Sequence, residues 1–170
     1  LLLTITIPSH SYVIRPATEK DVSLARKLLF QEKMNPLSIS TQTMLVAAEE
    51  SDDENSNDNS DSVLGFGQIR PLNGEFSELA SLYVLPEYRH QGIGSGLVKA
   101  LLMRHKCNNE KSKVCLLTLK PTSGFYNSFG FQGATEDERK SLPNAIQVEY
   151  MAGKALSTFL GNELVCMIQS

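Results

Sequence analysis

A glycine-rich stretch near the middle of the chain is where residue types and spacing first indicate chemistry. It runs from Tyr88 to Leu97 and carries glycines at alternate positions, Gly92, Gly94 and Gly96. Because glycine has no Cβ, the backbone of such a turn can come close to a ligand. A helix behind the turn would add unpaired N–H groups and the positive end of its dipole. The stretch therefore predicts a phosphate-binding turn.

The segments on either side of this turn have the patterns of a strand and a helix. An apolar run over Leu79–Leu85 precedes the turn and is ended by Pro86, as expected of a strand. Behind the turn, Ile93, Leu97 and Leu101 recur every fourth residue, which places them on one face of a helix. The predicted unit is a strand, a glycine-rich turn and a helix.

The spacing of the glycines in the turn distinguishes between the known motifs that bind phosphate in this way. A Rossmann fingerprint, G-x-G-x-x-G, requires a third glycine where Leu97 stands, and a P-loop requires a Gly-Lys pair that the turn lacks. Arg89-x-x-Gly92-x-Gly94 instead resembles the acetyl-CoA pyrophosphate loop of the Gcn5-related N-acetyltransferases (GNAT). That pattern is Arg or Gln, two residues, Gly, one residue, then Gly or Ala. The lead-in over Leu82–Arg89 also resembles that family.

A second motif supports the same resemblance. The octet Gly124–Phe131 reads GFYNSFGF and is similar to the family's Phe-Tyr-x-x-x-Gly-Phe signature. In the family, a short helix at this signature places a tyrosine beside the thioester, and the Gly-Phe pair begins the next strand. The resemblance therefore implies that Tyr126 lies beside the thioester. One departure is Leu119, which stands where the family often has an asparagine.

The resemblance covers the chain from about Tyr12 to about Met151 and implies a mixed α/β fold. Its sheet would be largely antiparallel, with six to seven strands flanked by helices. In the family, the strand ending at Leu85 and the strand over Val114–Leu119 splay apart to admit the pantetheine arm. The alternation of strand-like and helix-like segments favours an α/β fold independently of the resemblance.

The remaining elements are predicted from local patterns. Thr18 stands three residues before Asp21 and predicts a capping box for a helix. Further predicted strands are Tyr12–Arg15, Met44–Ala48, Val63–Arg70 and Ile146–Met151. The resemblance implies that two segments form the walls of the acceptor-binding site. They are Leu37–Thr43, which is compatible with a short helix, and a hairpin loop over Thr135–Ala145.

Length and composition indicate one domain. A chain of 170 residues with 41% hydrophobic residues can bury roughly 70% of its unfolded surface. We expect an N-terminal extension over residues 1–10 and a GNAT domain over residues 11–153. Leu156, Leu160, Leu164 and Ile168 recur every fourth residue, which predicts a helical tail over residues 154–170 that packs on the domain or forms a dimer contact.

An acidic segment, residues 49–62, interrupts this pattern. It has seven acidic residues and no hydrophobic one. Because it has no apolar surface whose burial could offset the entropy lost on ordering, we expect a disordered hairpin loop. The alternative is that its charge attracts a cationic substrate.

Charge and cysteine usage narrow the possible partners and location. The net charge of -3 disfavours binding to nucleic acid or to an anionic membrane surface. The apolar start of the chain ends at Pro8, short of the ~20 residues that a membrane span needs. Cys107, Cys115 and Cys166 are far apart and odd in number, which indicates a reducing compartment and no zinc site. We expect an intracellular, cytoplasmic protein, monomer or homodimer, unless a targeting peptide precedes the first residue.

Acetyl transfer to an amine needs a base, because a lysine-type ammonium has a pKa near ~10.4. Glu78 occupies the position at which the histone-acetylating branch of the family carries its base. Strand alternation predicts that its side chain shares a face with Ala80, Leu82 and Val84. Two alternatives remain: Glu78 begins the strand in solvent, or a water molecule relays the proton.

Tyr126 is the candidate general acid, which would donate to the departing CoA thiolate. Its alternative role is packing beside Phe125 and Phe129. For the co-substrate acetyl-CoA, the resemblance implies that main-chain groups of Leu82, Tyr83 and Val84 hold the pantetheine and polarise the thioester. The residues implied for the pyrophosphate are Arg89, which either positions the loop or contacts a phosphate, and His90, Gln91, Gly92, Ile93, Gly94, Ser95 and Gly96.

The resemblance thus implies direct transfer of an acetyl group from acetyl-CoA to a primary amine, without a metal. The amine could belong to a protein lysine, a protein N-terminus, a polyamine, an aminoglycoside or an arylalkylamine. The alternative is a CoA-binding module of the same fold that has lost turnover and serves as a sensor or interaction partner.

Overall fold

Seven strands and five α-helices make up the part of the chain that the computed structural model describes, residues 12–36, 38–49, 62–73, 75–108, 111–159 and 161–169. The strands are β1 (Tyr12–Pro16), β2 (Met44–Glu49), β3 (Val63–Pro71), β4 (Phe76–Val84), β5 (Lys113–Leu119), β6 (Phe131–Gly133) and β7 (Leu164–Gln169). The α-helices are α1 (Glu19–Gln31), α2 (Ile93–Asn108), α3 (Lys120–Asn127), α4 (Glu136–Ser141) and α5 (Asn144–Phe159). A single 3-10 turn, Pro86–Tyr88, joins β4 to the glycine-rich turn.

The strands form one sheet in the order β1-β2-β3-β4-β5-β7-β6. Strands β4 and β5 run parallel, and the other neighbouring pairs are antiparallel. The prediction of a mixed α/β fold with a largely antiparallel sheet of six to seven strands is confirmed.

The centre of the sheet is forked. Strands β4 and β5 pair only from Phe76 with Lys113 to Glu78 with Cys115. Strand β4 then continues to Val84 without a partner on this edge, and β5 continues to its own end paired with β7. The predicted splay between the two central strands is confirmed.

A β-bulge lies in β4 beyond the start of the fork. Gln68 pairs with Ala80 and Phe66 pairs with Tyr83, so one β3 residue stands opposite two residues of β4, the first of which is Ser81. Ser81 has a φ of 56°, in the left-handed region that non-glycine residues seldom adopt. Such bulges bend a strand and change the direction of its side chains and backbone groups.

The bulge changes which β4 side chains share a face. Leu79, Leu82 and Val84 all pack in the cluster that α2 covers. In a regular strand, positions 79 and 82 are an odd number of residues apart and would lie on opposite faces. Glu78, adjacent to Leu79, points to the opposite face, which α5 covers. The prediction that Glu78 shares a face with Leu82 and Val84 is therefore wrong, because the alternation is interrupted by the extra residue.

Helix α1 begins as predicted. The Thr18 side chain accepts a hydrogen bond from the Asp21 N–H, and the Asp21 carboxylate accepts one from the Thr18 N–H. Val22, Ala25 and Leu29 lie on one face of the helix and are buried. The capping box and the apolar stripe together fix the start and the orientation of this helix.

The strand predicted over Ile146–Met151 is wrong, because these residues lie inside α5. Leu142, Ile146 and Tyr150 recur every fourth residue and pack with Phe76 of β4. Of the alternating apolar residues, Ile146 is buried whereas Val148 is 65% exposed, so a helical spacing of four, and not the alternation, matches the face that packs on the sheet.

The helical tail predicted over residues 154–170 is also wrong in its second half, where the chain forms β7 between β5 and β6. A period of four is twice the strand period of two, so Leu164 and Ile168 share one face in a strand as well as in a helix. Leu160 lies outside the described residues.

Three other predictions concern connecting segments. The loop predicted over Thr135–Ala145 contains α4, whose capping box joins Thr135 to Glu138. Residues 38–43 form turns instead of a helix. Residues 1–11 and residues 50–61, most of the acidic segment, lie outside the described residues.

Candidate active site

Glu78 lies at the apex of the fork. It belongs to the last β4–β5 pair before the strands separate, and it is only 4% exposed. Arg70 of β3 stands opposite it in the antiparallel register. The Arg70 Nε donates to Glu78 Oε2 at 2.6 Å. Within the described part of the chain, Oε1 makes no hydrogen bond, so one oxygen remains to accept a proton.

Arg70 also binds a second carboxylate. Its Nη2 lies 3.0 Å from Oε1 and 3.2 Å from Oε2 of Glu149, which projects from α5. Burial raises the pKa of Glu78, the Arg70 cation lowers it and the Glu149 carboxylate raises it, with the net direction upward. A carboxylate with a raised pKa is a stronger base than an exposed one, as a general base requires.

Tyr126 lies on the other face of the sheet. Helix α3 places its ring edge-on to Phe125, at 4.9 Å between centroids, and near Phe131 of β6, at 6.1 Å. The side chain is half-buried, and its surroundings raise the pKa of the phenol to about 12 by desolvation. No hydrogen bond joins its hydroxyl to a residue that the structure describes. The packing expected with the neighbouring phenylalanines is present, and the hydroxyl remains able to donate.

The glycine-rich turn leads directly into α2, which begins at Ile93. Gly92 has a φ of 83°, a conformation that favours glycine. The Gly96 N–H donates to the Gly92 carbonyl at 2.9 Å, and the N–H groups of the helix residues before Gly96 have no intrahelical acceptor by geometry. Helix α2 has no acidic residue in its first turn, so its positive dipole end is open to an anion.

Gly94 and Gly96 have different surroundings. A Cβ at Gly94 would lie 3.7 Å from both Phe125 and Val84, an ordinary contact distance. A Cβ at Gly96 would lie 2.6 Å from the Tyr12 hydroxyl of β1. Gly96 therefore lies against the Tyr12 side chain where α2 packs on β1, whereas Gly94 lies where the ends of β4, α2 and α3 meet.

Arg89 positions the turn. Its Nε donates to the Val84 carbonyl at 3.0 Å, and its guanidinium lies 5.7 Å from the centroid of the Tyr83 ring. Tyr83 itself is buried against the α1 side, where its hydroxyl donates to Glu32 at 3.4 Å. Of the two alternatives for Arg89, these contacts favour positioning over phosphate binding. His90, with a φ of 63°, and Gln91 are exposed.

Sequence reasoning missed Arg70, Glu149 and Gln68. Gln68 is fully buried, accepts from Thr43 Oγ1 at 2.8 Å and donates to Ser81 Oγ at 3.4 Å. It thus joins the turn at Thr43 to the bulge. The hairpin register would have indicated Arg70 as the partner of Glu78, but no local signal identifies the other two.

Two surface cavities lie elsewhere. One of about 650 Å³ is bounded by α4 and α5, and one of about 200 Å³ by the end of α2 and β3. Neither is lined by a residue of the glycine-rich turn. Among the described residues, no group of histidine, cysteine and acidic side chains could hold a metal ion, and no helix is long and apolar enough to cross a membrane.

A family model for the acetyltransferase (GNAT) domain matches residues 40–133, more than half of the chain. The match includes the fork, the bulge, the glycine-rich turn and Tyr126. The chain belongs to the GNAT acetyltransferase family. This places the chain among the acetyltransferases, and the resemblance of the two sequence motifs to GNAT motifs is thereby confirmed. A comparison with curated proteins found no match.

Solved structures share the GNAT fold at low identity. Rv2747 from Mycobacterium tuberculosis, in complex with CoA and NLQ, is 21% identical with a TM-score of 0.64, over 92% of this chain and 98% of that one. N-acetylglutamate synthase from Neisseria gonorrhoeae, complexed with CoA and N-acetyl-glutamate, is 16% identical with a TM-score of 0.65, over 94% of this chain and 35% of that one. The ribosomal-protein-S18-alanine N-acetyltransferase of Escherichia coli is 14% identical with a TM-score of 0.56, over 94% of this chain and 93% of that one.

Proposed function

We propose that this GNAT enzyme transfers an acetyl group from acetyl-CoA directly to a primary amine within the fork. The observation that carries the proposal is the position of Glu78, a buried carboxylate at the apex of the only parallel strand pair among the described residues. Acetyl-CoA as co-substrate is supported by the family and by relatives that were crystallised with CoA.

The unpaired edge of β4 is suited to hold the pantetheine. Beyond Glu78, this edge lacks a β5 partner, so the N–H and C=O groups that point to it are available to an extended ligand, as in strand addition, apart from the Val84 carbonyl, which already accepts from Arg89. The bulge at Ser81 turns the backbone of Leu82, Tyr83 and Val84, whose N–H groups could polarise the thioester carbonyl. The first N–H groups of α2 would then hold the pyrophosphate.

The proposed reaction uses the two faces of the sheet. The ammonium loses one proton to Glu78, directly or through water, and its nitrogen attacks the thioester carbon. A C–N bond forms, the C–S bond breaks, and the departing thiolate accepts a hydrogen bond from Tyr126. The second proton that the nitrogen loses on becoming an amide passes through solvent to the thiolate, so free CoA leaves as the thiol. Because Glu78 and Tyr126 approach the fork from opposite faces, base and acid would not compete for one space.

The test is release of free CoA from acetyl-CoA with one amine of each class, with the product identified by mass. We expect the parent to acetylate at least one class and Glu78→Gln to lose most of that turnover at neutral pH. Glu163→Gln is the matched control, because Glu163 is exposed and pairs with Lys120 at 3.5 Å. Tight acetyl-CoA binding without turnover on any amine would favour the silent CoA-binding module instead.

A further inference from the structure

The charges around Glu78 do not balance. Arg70 contributes one positive charge, and its two partners, Glu78 and Glu149, contribute two negative charges when ionised. Arg70 is the one cation that lowers the pKa of Glu78 within the described part of the chain. With all three groups ionised, the cluster has a net charge of -1 and two of its members, Arg70 and Glu78, are largely buried, so a further cation would stabilise it.

Glu149 is the accessible member of this cluster. Its side chain is 36% exposed, compared with 5% for Glu78 and 17% for Arg70. Its carboxylate also lies 3.5 Å from the amide nitrogen of Asn35, in the turn that follows α1. Glu149 thus lies where the α1 side and α5 approach each other above the apex of the fork, and an incoming molecule can reach it before Glu78.

We propose that Glu149 is an acceptor-binding residue that receives the substrate ammonium and directs it towards Glu78. One ammonium group would bring the cluster to neutrality, with two cations and two carboxylates. It follows that the acceptor is a primary amine without an adjacent carboxylate, because an α-carboxylate would restore the excess negative charge beside Glu149. This inference rests on the proposed function and specifies its substrate class.

The same geometry predicts an effect on the pH profile. Among the described residues, the titratable groups that act on Glu78 or are acted on by it are Arg70, Glu149, Cys115 and Cys166. Burial raises the pKa of the two thiols to about 12 and about 11, so both stay neutral over the working range. Removing the Glu149 charge lowers the pKa of Glu78, and the acid limb of kcat/KM should move to lower pH.

The experiment compares Glu149→Gln with the parent and with Glu163→Gln, using leucinamide and leucine as the matched acceptors. For Glu149→Gln we expect the KM for leucinamide to rise about tenfold, in line with the loss of one charged hydrogen-bond partner. Its kcat should stay within about threefold of the parent, and acetyl-CoA affinity should be unchanged. The parent should prefer leucinamide over leucine by at least about tenfold, and Glu149→Gln should reduce that preference.

A structural role for Glu149 would give a different result. Loss of thermal stability together with kcat, at an unchanged KM, would overturn the proposal, as would a KM change no larger than that of Glu163→Gln. If the parent acetylates no amine, the proposed function fails, and NMR titration of the acetyl-CoA complex with leucinamide then decides the acceptor inference alone. Equal affinity of parent and Glu149→Gln in that titration would refute it.

Discussion

Replacing Tyr126 by phenylalanine removes one oxygen and tests how the leaving thiolate is stabilised. The pKa of this phenol is raised to about 12, whereas an ordinary thiol has a pKa near ~8.5. Complete proton transfer from Tyr126 to a thiolate would therefore be uphill by about 5 kcal/mol, at 1.36 kcal/mol per pH unit. Tyr126 should act by donating a hydrogen bond that strengthens as charge develops on sulfur.

The expected loss of turnover in Tyr126→Phe follows from a hydrogen-bonding role and not from complete proton transfer. A hydrogen bond to a charged group contributes about 1.5–3 kcal/mol, so Tyr126→Phe should lower kcat by about 10- to 100-fold. Its hydroxyl has no partner among the described residues, so the melting temperature should change little. Acetyl-CoA affinity should also persist, because the ring keeps its contacts with Phe125 and Phe131.

The assay is steady-state turnover with the best amine, alongside direct titration with acetyl-CoA and a thermal melt. Because a group with a pKa of about 12 stays protonated at pH 8–10, Tyr126 should cause no decline of kcat in that range. Turnover of the variant within about twofold of the parent would leave Tyr126 with packing alone. A decline of the parent's kcat between pH 8 and pH 10 that disappears in Tyr126→Phe would also refute the reasoning.

Two further predictions concern the glycines of the turn. Gly94→Glu should abolish measurable acetyl-CoA binding in calorimetric titration while the domain stays folded, since it places a negative charge at the expected pyrophosphate position. The control is Gly133→Glu, at a site with open space. Unchanged affinity of Gly94→Glu for acetyl-CoA would remove the turn from the cofactor site. Gly96→Ala should lower the free energy of unfolding in urea denaturation, because overpacking against Tyr12, at about 1–3 kcal/mol, exceeds the roughly 1 kcal/mol that alanine gains over glycine inside a helix. A variant at least as stable as the parent would show that Tyr12 moves aside freely.

The predictions that succeeded rest on local sequence. The strand, turn and helix around Gly92 and Gly94 follow from short-range apolar periodicity and from the position of Pro86, and Thr18 with Asp21 defines the start of α1 within four residues. These predictions hold in the folded chain because each of these elements buries the apolar face that its sequence pattern indicates.

The errors have tertiary causes. The bulge at Ser81 depends on the register of β4 against β3, which nothing within β4 itself determines. The strand β7 was predicted as a helix because a spacing of four residues fits both elements. Glu149 could not be assigned to the site, because its segment was predicted as a strand and its contact with Arg70 spans 79 positions of sequence.

The most direct test of the central claim is the pH–rate profile of Glu78→Gln beside that of the parent. A carboxylate whose pKa is raised by burial acts as base only above that pKa, so the parent should lose kcat/KM as the pH falls through it. The variant acts only on amine that is already free in solution, so with a lysine-type acceptor its rate should rise about tenfold per pH unit towards the amine pKa of ~10.4. The ratio of parent to variant should therefore be largest near neutral pH and shrink as the pH rises, and a constant ratio across the range would contradict the assignment of Glu78 as the base.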